Sequence, residues 1–99
     1  MLLRLSGLFG LIGLSVMGVL HAEDSKPLSV VTYNVRYANP GDGPDFWPSR
    51  VDAVVSFLNE QDLAGLQEVT YPQLQDLRSL LPDFDSAGVG RDDGKQAGE

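Results

Sequence analysis

Two polar residues close apolar runs in this sequence, and their types fit the chemistry of a bound cation and its ligand. Glu68 ends Leu63-Ala64-Gly65-Leu66-Gln67-Glu68, and Asn34 ends Leu28-Ser29-Val30-Val31-Thr32-Tyr33-Asn34. Each run reads as a buried strand whose last residues turn polar. Open α/β sheets bind ligands at the carboxyl ends of their strands, so an amide and a carboxylate on one rim make a candidate site. A carboxylate there suits a hard cation such as Mg2+. The Asn34 amide carries donors and an acceptor together. Arg36 shares a face with Asn34 if the strand continues, and its guanidinium could grip an oxyanion through two parallel hydrogen bonds. Against these readings stand plainer ones: a solvated carboxylate at Glu68, a turn cap at Asn34, and a surface ion pair at Arg36.

The elements that must position these groups follow the order strand, helix, strand, helix, strand, which indicates a layered α/β fold. The first strand covers 28–33, with 35–37 as an extension, and Ala38 to Pro48 has loop chemistry, with three prolines, two glycines and two aspartates. Pro48 suits the first turn of a helix, and Val51, Val54, Val55 and Leu58 fall at i, i+3, i+4 and i+7. Phe57 lies at the edge of that stripe. The run 63–69 reads as a central strand covered on both faces. Thr70 is placed to cap a second helix with Pro72 in its first turn. Its stripe is Leu74, Leu77 and Leu81, joined by Leu80, and Pro82 stops it. A short third strand is expected over 84–89, then a polar turn from Gly90 to Lys95.

Residues 1–22 resemble a secretory leader. Arg4 is followed by an uncharged apolar stretch from Leu5 to Leu20 and then by the small residue Ala22, after which cleavage is expected. The alternative is an uncleaved membrane anchor, for which the stretch is short, and no stable span is expected after cleavage. The remainder, 23–99, reads as one unit, exported to the periplasm or the exterior. It contains no cysteine, so disulfide staples are excluded. From Glu23 onward there are six Lys and Arg against fourteen Asp and Glu, a net of −8. Such a surface weakens a nucleic-acid partner without excluding one. With so short a core and no staples, 23–99 reads as the first part of a larger domain.

Four blocks occur in a recognisable order: Thr32-Tyr33-Asn34-Val35-Arg36-Tyr37, Trp47-Pro48-Ser49-Arg50, Gly65-Leu66-Gln67-Glu68-Val69, and Gly88-Val89-Gly90-Arg91-Asp92-Asp93-Gly94-Lys95 closing on Gly98-Glu99. Together they resemble the endonuclease/exonuclease/phosphatase superfamily, which includes deoxyribonuclease I, neutral sphingomyelinases and inositol-polyphosphate 5-phosphatases. The resemblance implies the N-terminal part of a layered α/β sandwich, two β-sheets flanked by helices, incomplete in this chain. It implies hydrolysis of a phosphodiester or phosphomonoester with Mg2+, or Mn2+ in its place. Glu68 then matches the metal-binding glutamate. Asn34 and Glu99 match catalytic positions, the latter orienting a histidine supplied from further along such a domain. Arg36 and Arg91 match the substrate side, with Asp92, Asp93 and Lys95 in the same loop. Trp47 and Arg50 are read as structural: a loop anchor and a helix-surface partner. The rival expectation is a non-catalytic binding protein that keeps the fold, since fold alone does not guarantee activity.

Overall fold

A computed structural model of the chain describes residues 2–4 and 25–99. Its elements are β1 (Leu2–Arg4), β2 (Val30–Asn34), a 3-10 stretch (Pro40–Asp45), α1 (Trp47–Asn59), β3 (Leu63–Gln67), α2 (Tyr71–Leu80) and β4 (Phe84–Ser86). Four strands form one mixed sheet in the order β2-β3-β1-β4. β2 and β3 are parallel and joined through α1, while β1 runs antiparallel to both β3 and β4. Of the expected leader, residues 5–22 lie outside the described residues, as does its cleavage point. Its described portion, Leu2–Arg4, is the strand between β3 and β4, with Leu2 only 1% exposed. No helix among the described residues is long and apolar enough to cross a membrane.

The expected periodicities explain which faces are buried. On α1, Val54 and Leu58 are buried and Val51 and Val55 pack against them. Pro48 sits in the first turn, where a missing N–H costs nothing. Phe57 meets Tyr33 of β2 edge to face, with centroids 5.3 Å apart at 78°. On α2, Leu77 is buried and Leu81 follows as the buried C-cap residue. Each buried leucine contributes roughly 1.5–3 kcal/mol of hydrophobic stabilisation. Leu80 does not join this stripe: it is 44% exposed, one residue round from the buried line.

β2 departs from the expected buried strand. Val31 and Tyr33 pack on the core, as does buried Val35 just beyond, whereas Val30, Thr32 and Asn34 are exposed. β2 is an edge strand of the sheet, and its apolar alternation serves one face only. The strands also end sooner than expected, β2 at Asn34, β3 at Gln67 and β4 at Ser86. The early ends of β2 and β3 have a common cause, described next.

Candidate functional site

β2 and β3 pair in parallel with Asn34 level with Gln67, so both chains leave the sheet at the same rim. One further bond, Val35 N–H to the Gln67 carbonyl at 3.0 Å, closes the ladder. Each chain then turns through a left-handed residue: Arg36 has φ 60° and Glu68 φ 58°. Neither is glycine, and such conformations cost on the order of 1–3 kcal/mol unless the surroundings enforce them. They explain why neither strand continues. Arg36 therefore does not extend the strand beyond Asn34, and the shared face expected for the two residues is lost.

The turns bring the Glu68 carboxylate back across β2. Its Oε1 accepts from Asn34 Nδ2 at 2.9 Å, and its Oε2 accepts from the Tyr37 N–H at 3.2 Å. Asn34 Oδ1 in turn accepts from the Arg36 N–H at 2.9 Å. Both ends of the Asn34 amide are thus engaged, one on the carboxylate and one on the turn beside it. The Asn34 hydrogen bond, then the Tyr37 N–H, and more weakly the Arg36 charge hold the Glu68 carboxyl below its usual range, against a smaller opposing effect of burial. Glu68 is consequently an anion at neutral pH in a fixed orientation.

Arg36 points its guanidinium at Asp42, with Nε–Oδ2 3.0 Å and Nη2–Oδ1 2.9 Å. This is the two-pronged geometry anticipated for an oxyanion, but the partner is a side chain of the 3-10 stretch. The pair raises the Arg36 pKa and lowers that of Asp42, chiefly through the shared hydrogen bonds. The guanidinium also lies 4.5 Å from the centre of the Tyr37 ring.

Two residues that sequence reasoning did not assign to the site, Arg50 and Gln73, hold this turn in place. Arg50 is no mere helix-surface partner: it donates to the Val35 carbonyl, to the Arg36 carbonyl at 2.8 Å and to the Asp45 carbonyl at 2.7 Å. It does so while stacked near Trp47, 5.3 Å from the ring centre. Trp47 is buried as expected, and its indole N–H reaches Asp76 Oδ2 at 2.8 Å, tying α1 to α2. Gln73 is fully buried on α2. Its Nε2 donates to the Arg36 carbonyl at 2.9 Å, and its Oε1 accepts from the N–H groups of Ala38 and Thr70, both at 3.1 Å. The spacing Thr70-x-x-Gln73 is a capping-box signature and was the one available sequence signal. Nothing local reveals the reach from Gln73 to residues 36 and 38.

The second half of the site is the loop after β4. Asp93 Oδ1 accepts from the N–H groups of Lys95, Gln96 and Ala97 at 2.8, 2.9 and 3.0 Å, so this carboxylate shapes the loop. Those bonds, Ala97 first, lower its pKa. Arg91 Nη1 meets Glu99 Oε1 at 2.7 Å and Arg91 Nε lies 3.5 Å from Asp92 Oδ1. A cleft of about 470 Å3 lies between this loop and the start of α2, lined by Glu68, Tyr71, Arg91, Lys95 and Glu99 among others. Glu68, Arg91 and Glu99 therefore face one concavity, while Asn34 supports Glu68 from behind and Arg36 is turned toward Asp42. His21 lies outside the described residues.

Among the described residues there is no group of three or more His, Cys, Asp or Glu side chains that could cage a metal. Mg2+ commonly keeps several waters and takes one or two carboxylates plus substrate oxygens, so an ionised Glu68 on a cleft wall fits it. Each Glu68 oxygen accepts one protein hydrogen bond and keeps lone-pair capacity for a cation.

No family model matches the chain, and no curated protein does. Solved structures do. An endonuclease/exonuclease/phosphatase from Bacteroides vulgatus is 48% identical with TM-score 0.68, over 72% of this chain and 28% of that one. An endonuclease/exonuclease/phosphatase family protein from Bacteroides thetaiotaomicron is 40% identical with TM-score 0.68, over the same shares. A mannosyl-6-phosphatase from Bacteroides thetaiotaomicron is 39% identical with TM-score 0.68, over 73% of this chain and 28% of that one. The chain spans little more than a quarter of the length of the structures it matches. Over that span, sequence and fold together are those of the N-terminal part of an endonuclease/exonuclease/phosphatase family protein.

Proposed function

We propose that this chain is the N-terminal part of an exported, Mg2+-dependent phosphoesterase. The observation that carries the reading is the Glu68 carboxylate, ionised and held by two hydrogen bonds on the wall of a cleft that also receives Arg91 and Glu99. Export rests on the leader-like pattern of residues 1–22.

When bound, Mg2+ would polarise a phosphoryl oxygen and offset the charge that builds there. Glu68 would hold it, with Mn2+ as an alternative occupant. The chain's own residues prepare the ground. Asn34 fixes the rotamer of Glu68 and keeps it anionic. Arg91, released from Glu99, is placed to bind a phosphate oxygen by charge-assisted hydrogen bonds. Glu99 would orient a histidine contributed by the longer protein, fixing its tautomer and favouring its protonated form. Arg36 contributes through its turn, since its guanidinium is already occupied by Asp42.

The mannosyl-6-phosphatase among the matching structures favours a sugar phosphomonoester over a nucleic acid, and the acidic surface points the same way. The test is hydrolysis by the full-length protein of hexose 6-phosphates, a generic phosphodiester and single-stranded DNA, with and without Mg2+. Mg2+-dependent release of inorganic phosphate is expected. Turnover of none of the three, at any Mg2+ concentration, would leave a non-catalytic binding protein as the better reading.

A further inference from the structure

Gln73 reaches the two peptide groups that flank Tyr37. Its Nε2 donates to the Arg36 carbonyl and its Oε1 accepts from the Ala38 N–H. The Tyr37 N–H between them is the group bonded to Glu68 Oε2. With the carbonyl before it and the amide after it pinned by one buried side chain, the Tyr37 N–H has no freedom to swing away. The same Oε1 also accepts from the Thr70 N–H and from Thr70 Oγ1, at 3.1 and 2.8 Å. Thr70 lies two residues beyond Glu68, so one amide spans the two segments that leave the rim. Arg50 supports the Arg36 carbonyl from its other side.

We propose that Gln73 is a positioning residue that aims the Glu68 carboxylate by clamping the Arg36–Ala38 turn and the Thr70 helix start together. The inference rests on the reading of Glu68 as a cation ligand. Gln73 itself has no place in the cleft lining. Its hydrogen bonds go to the peptide groups on either side of Tyr37 and to Thr70, two residues beyond Glu68. Partners that orient a metal ligand from behind typically matter by roughly 10–100-fold in metal affinity.

The test uses three variants of the full-length protein. Gln73→Met removes the whole clamp at similar volume. Gln73→Glu keeps the acceptor that serves Ala38 and Thr70 and, read above the pH at which the introduced buried carboxyl ionises, replaces the donation to the Arg36 carbonyl by a second oxygen. Asp76→Ala, on the same helix, breaks the Trp47 bond and loosens α1 from α2 without touching the turn. Two quantities are read: Mg2+ affinity by calorimetric titration, and hydrogen exchange of the Tyr37 amide in metal-free protein. Both Gln73 variants should weaken Mg2+ binding by about tenfold and speed Tyr37 exchange, while Asp76→Ala should change neither beyond its effect on global stability. In Gln73→Glu the added negative charge would by itself favour a cation, so weaker binding there reports lost geometry. Unchanged Mg2+ affinity and Tyr37 exchange in Gln73→Glu would overturn the proposal, even if Gln73→Met failed to fold. Equal losses in Asp76→Ala would also overturn it, reducing Gln73 to a packing role. If the unaltered protein binds no Mg2+ while Tyr37 exchange still follows Gln73, the clamp stands and the metal reading falls.

Discussion

Asn34 and Glu68 lie 34 positions apart in sequence and meet through one 2.9 Å hydrogen bond across the rim of two parallel strands. That bond fixes a carboxylate whose backbone is in the left-handed region, and it lowers the pKa of that carboxylate more than any other contact. Asn34→Ala should therefore act on the proposed cation site as well as on the rim. We expect Mg2+ affinity in the full-length protein to fall by about tenfold with the fold retained. A calorimetric titration that gives an unchanged affinity would remove Asn34 from this role.

Glu68→Gln keeps size but removes the charge a hard cation requires, and it turns one of the two acceptor oxygens into a donor facing Asn34 Nδ2 or the Tyr37 N–H. Turnover should fall by on the order of a hundredfold or more, and raising Mg2+ should not restore it. Activity equal to the unaltered protein at limiting Mg2+ would show that the ligand is elsewhere.

Glu99 makes a different prediction. Glu99→Gln removes its 2.7 Å ion pair with Arg91 and, on the proposed reading, would deprive a histidine contributed by the longer protein of its anion. Mg2+ affinity should stay near the original while kcat drops and the acid limb of the pH–rate profile shifts downward. Should Mg2+ affinity drop as far as in Glu68→Gln with the pH profile fixed, Glu99 binds metal and the assigned role is wrong.

Acid should weaken the fold through identifiable groups. Glu68, Asp42 and Asp93 all have lowered pKa values in the folded chain. Each therefore stabilises the fold above the ordinary carboxylate pKa of about 4, and that contribution is lost as pH falls through its lowered folded value. Denaturant midpoints should drop from pH 5 toward pH 2. Asp93→Asn should be less stable at neutral pH and should show a shallower acid decline, and an unaltered decline would mean that Asp93 titrates without linkage to folding.

Gly90 admits no side chain. A Cβ there would run into the Ala97 backbone, 2.7 Å from its nitrogen. Gly90→Ala should open the 90–98 loop, with a stability cost of roughly 1–3 kcal/mol. Limited proteolysis should cut the variant between Arg91 and Lys95 faster than the parent, and equal resistance would argue that the loop can shift to make room.

Much of the frame was legible from the residues. The stripe Val51, Val54, Val55, Leu58 defines α1 because helical period survives any tertiary context, and Trp47 announced its own burial by size. The rim was legible in outline, since apolar runs ending in Asn34 and Glu68 must end somewhere common if the strands are parallel. The turns were not. Arg36 and Glu68 are not residue types that advertise positive φ, so the extension of the first strand over 35–37 and the last two residues of the 63–69 strand were expected in vain. Leu80 was misassigned because one residue of rotation separates a buried line from solvent. The contacts of Gln73 with residues 36 and 38 and of Arg50 with residues 35 and 36 join distant segments, and no local pattern encodes them. Cleavage after Ala22 would remove β1, the strand between β3 and β4, so the leader pattern and the described sheet make opposite demands on Leu2–Arg4; intact-mass analysis of exported protein decides between them, a new terminus near Glu23 supporting cleavage and a retained Met1 ending that reading.

Arg36 and Glu68 hold a backbone conformation that glycine would adopt without strain. At both positions the neutral drift of sequences toward comfort would therefore run away from what stands there. A change to glycine at Glu68 would relieve that strain but would give up the two hydrogen bonds that the carboxylate accepts and the stability that goes with its lowered pKa, and it would leave no charge at the rim. Screening libraries of this protein for heat resistance alone would weigh only relieved strain against lost hydrogen bonds at these two positions and would be blind to ligand binding, so a stabilising campaign has to select on binding in the same round.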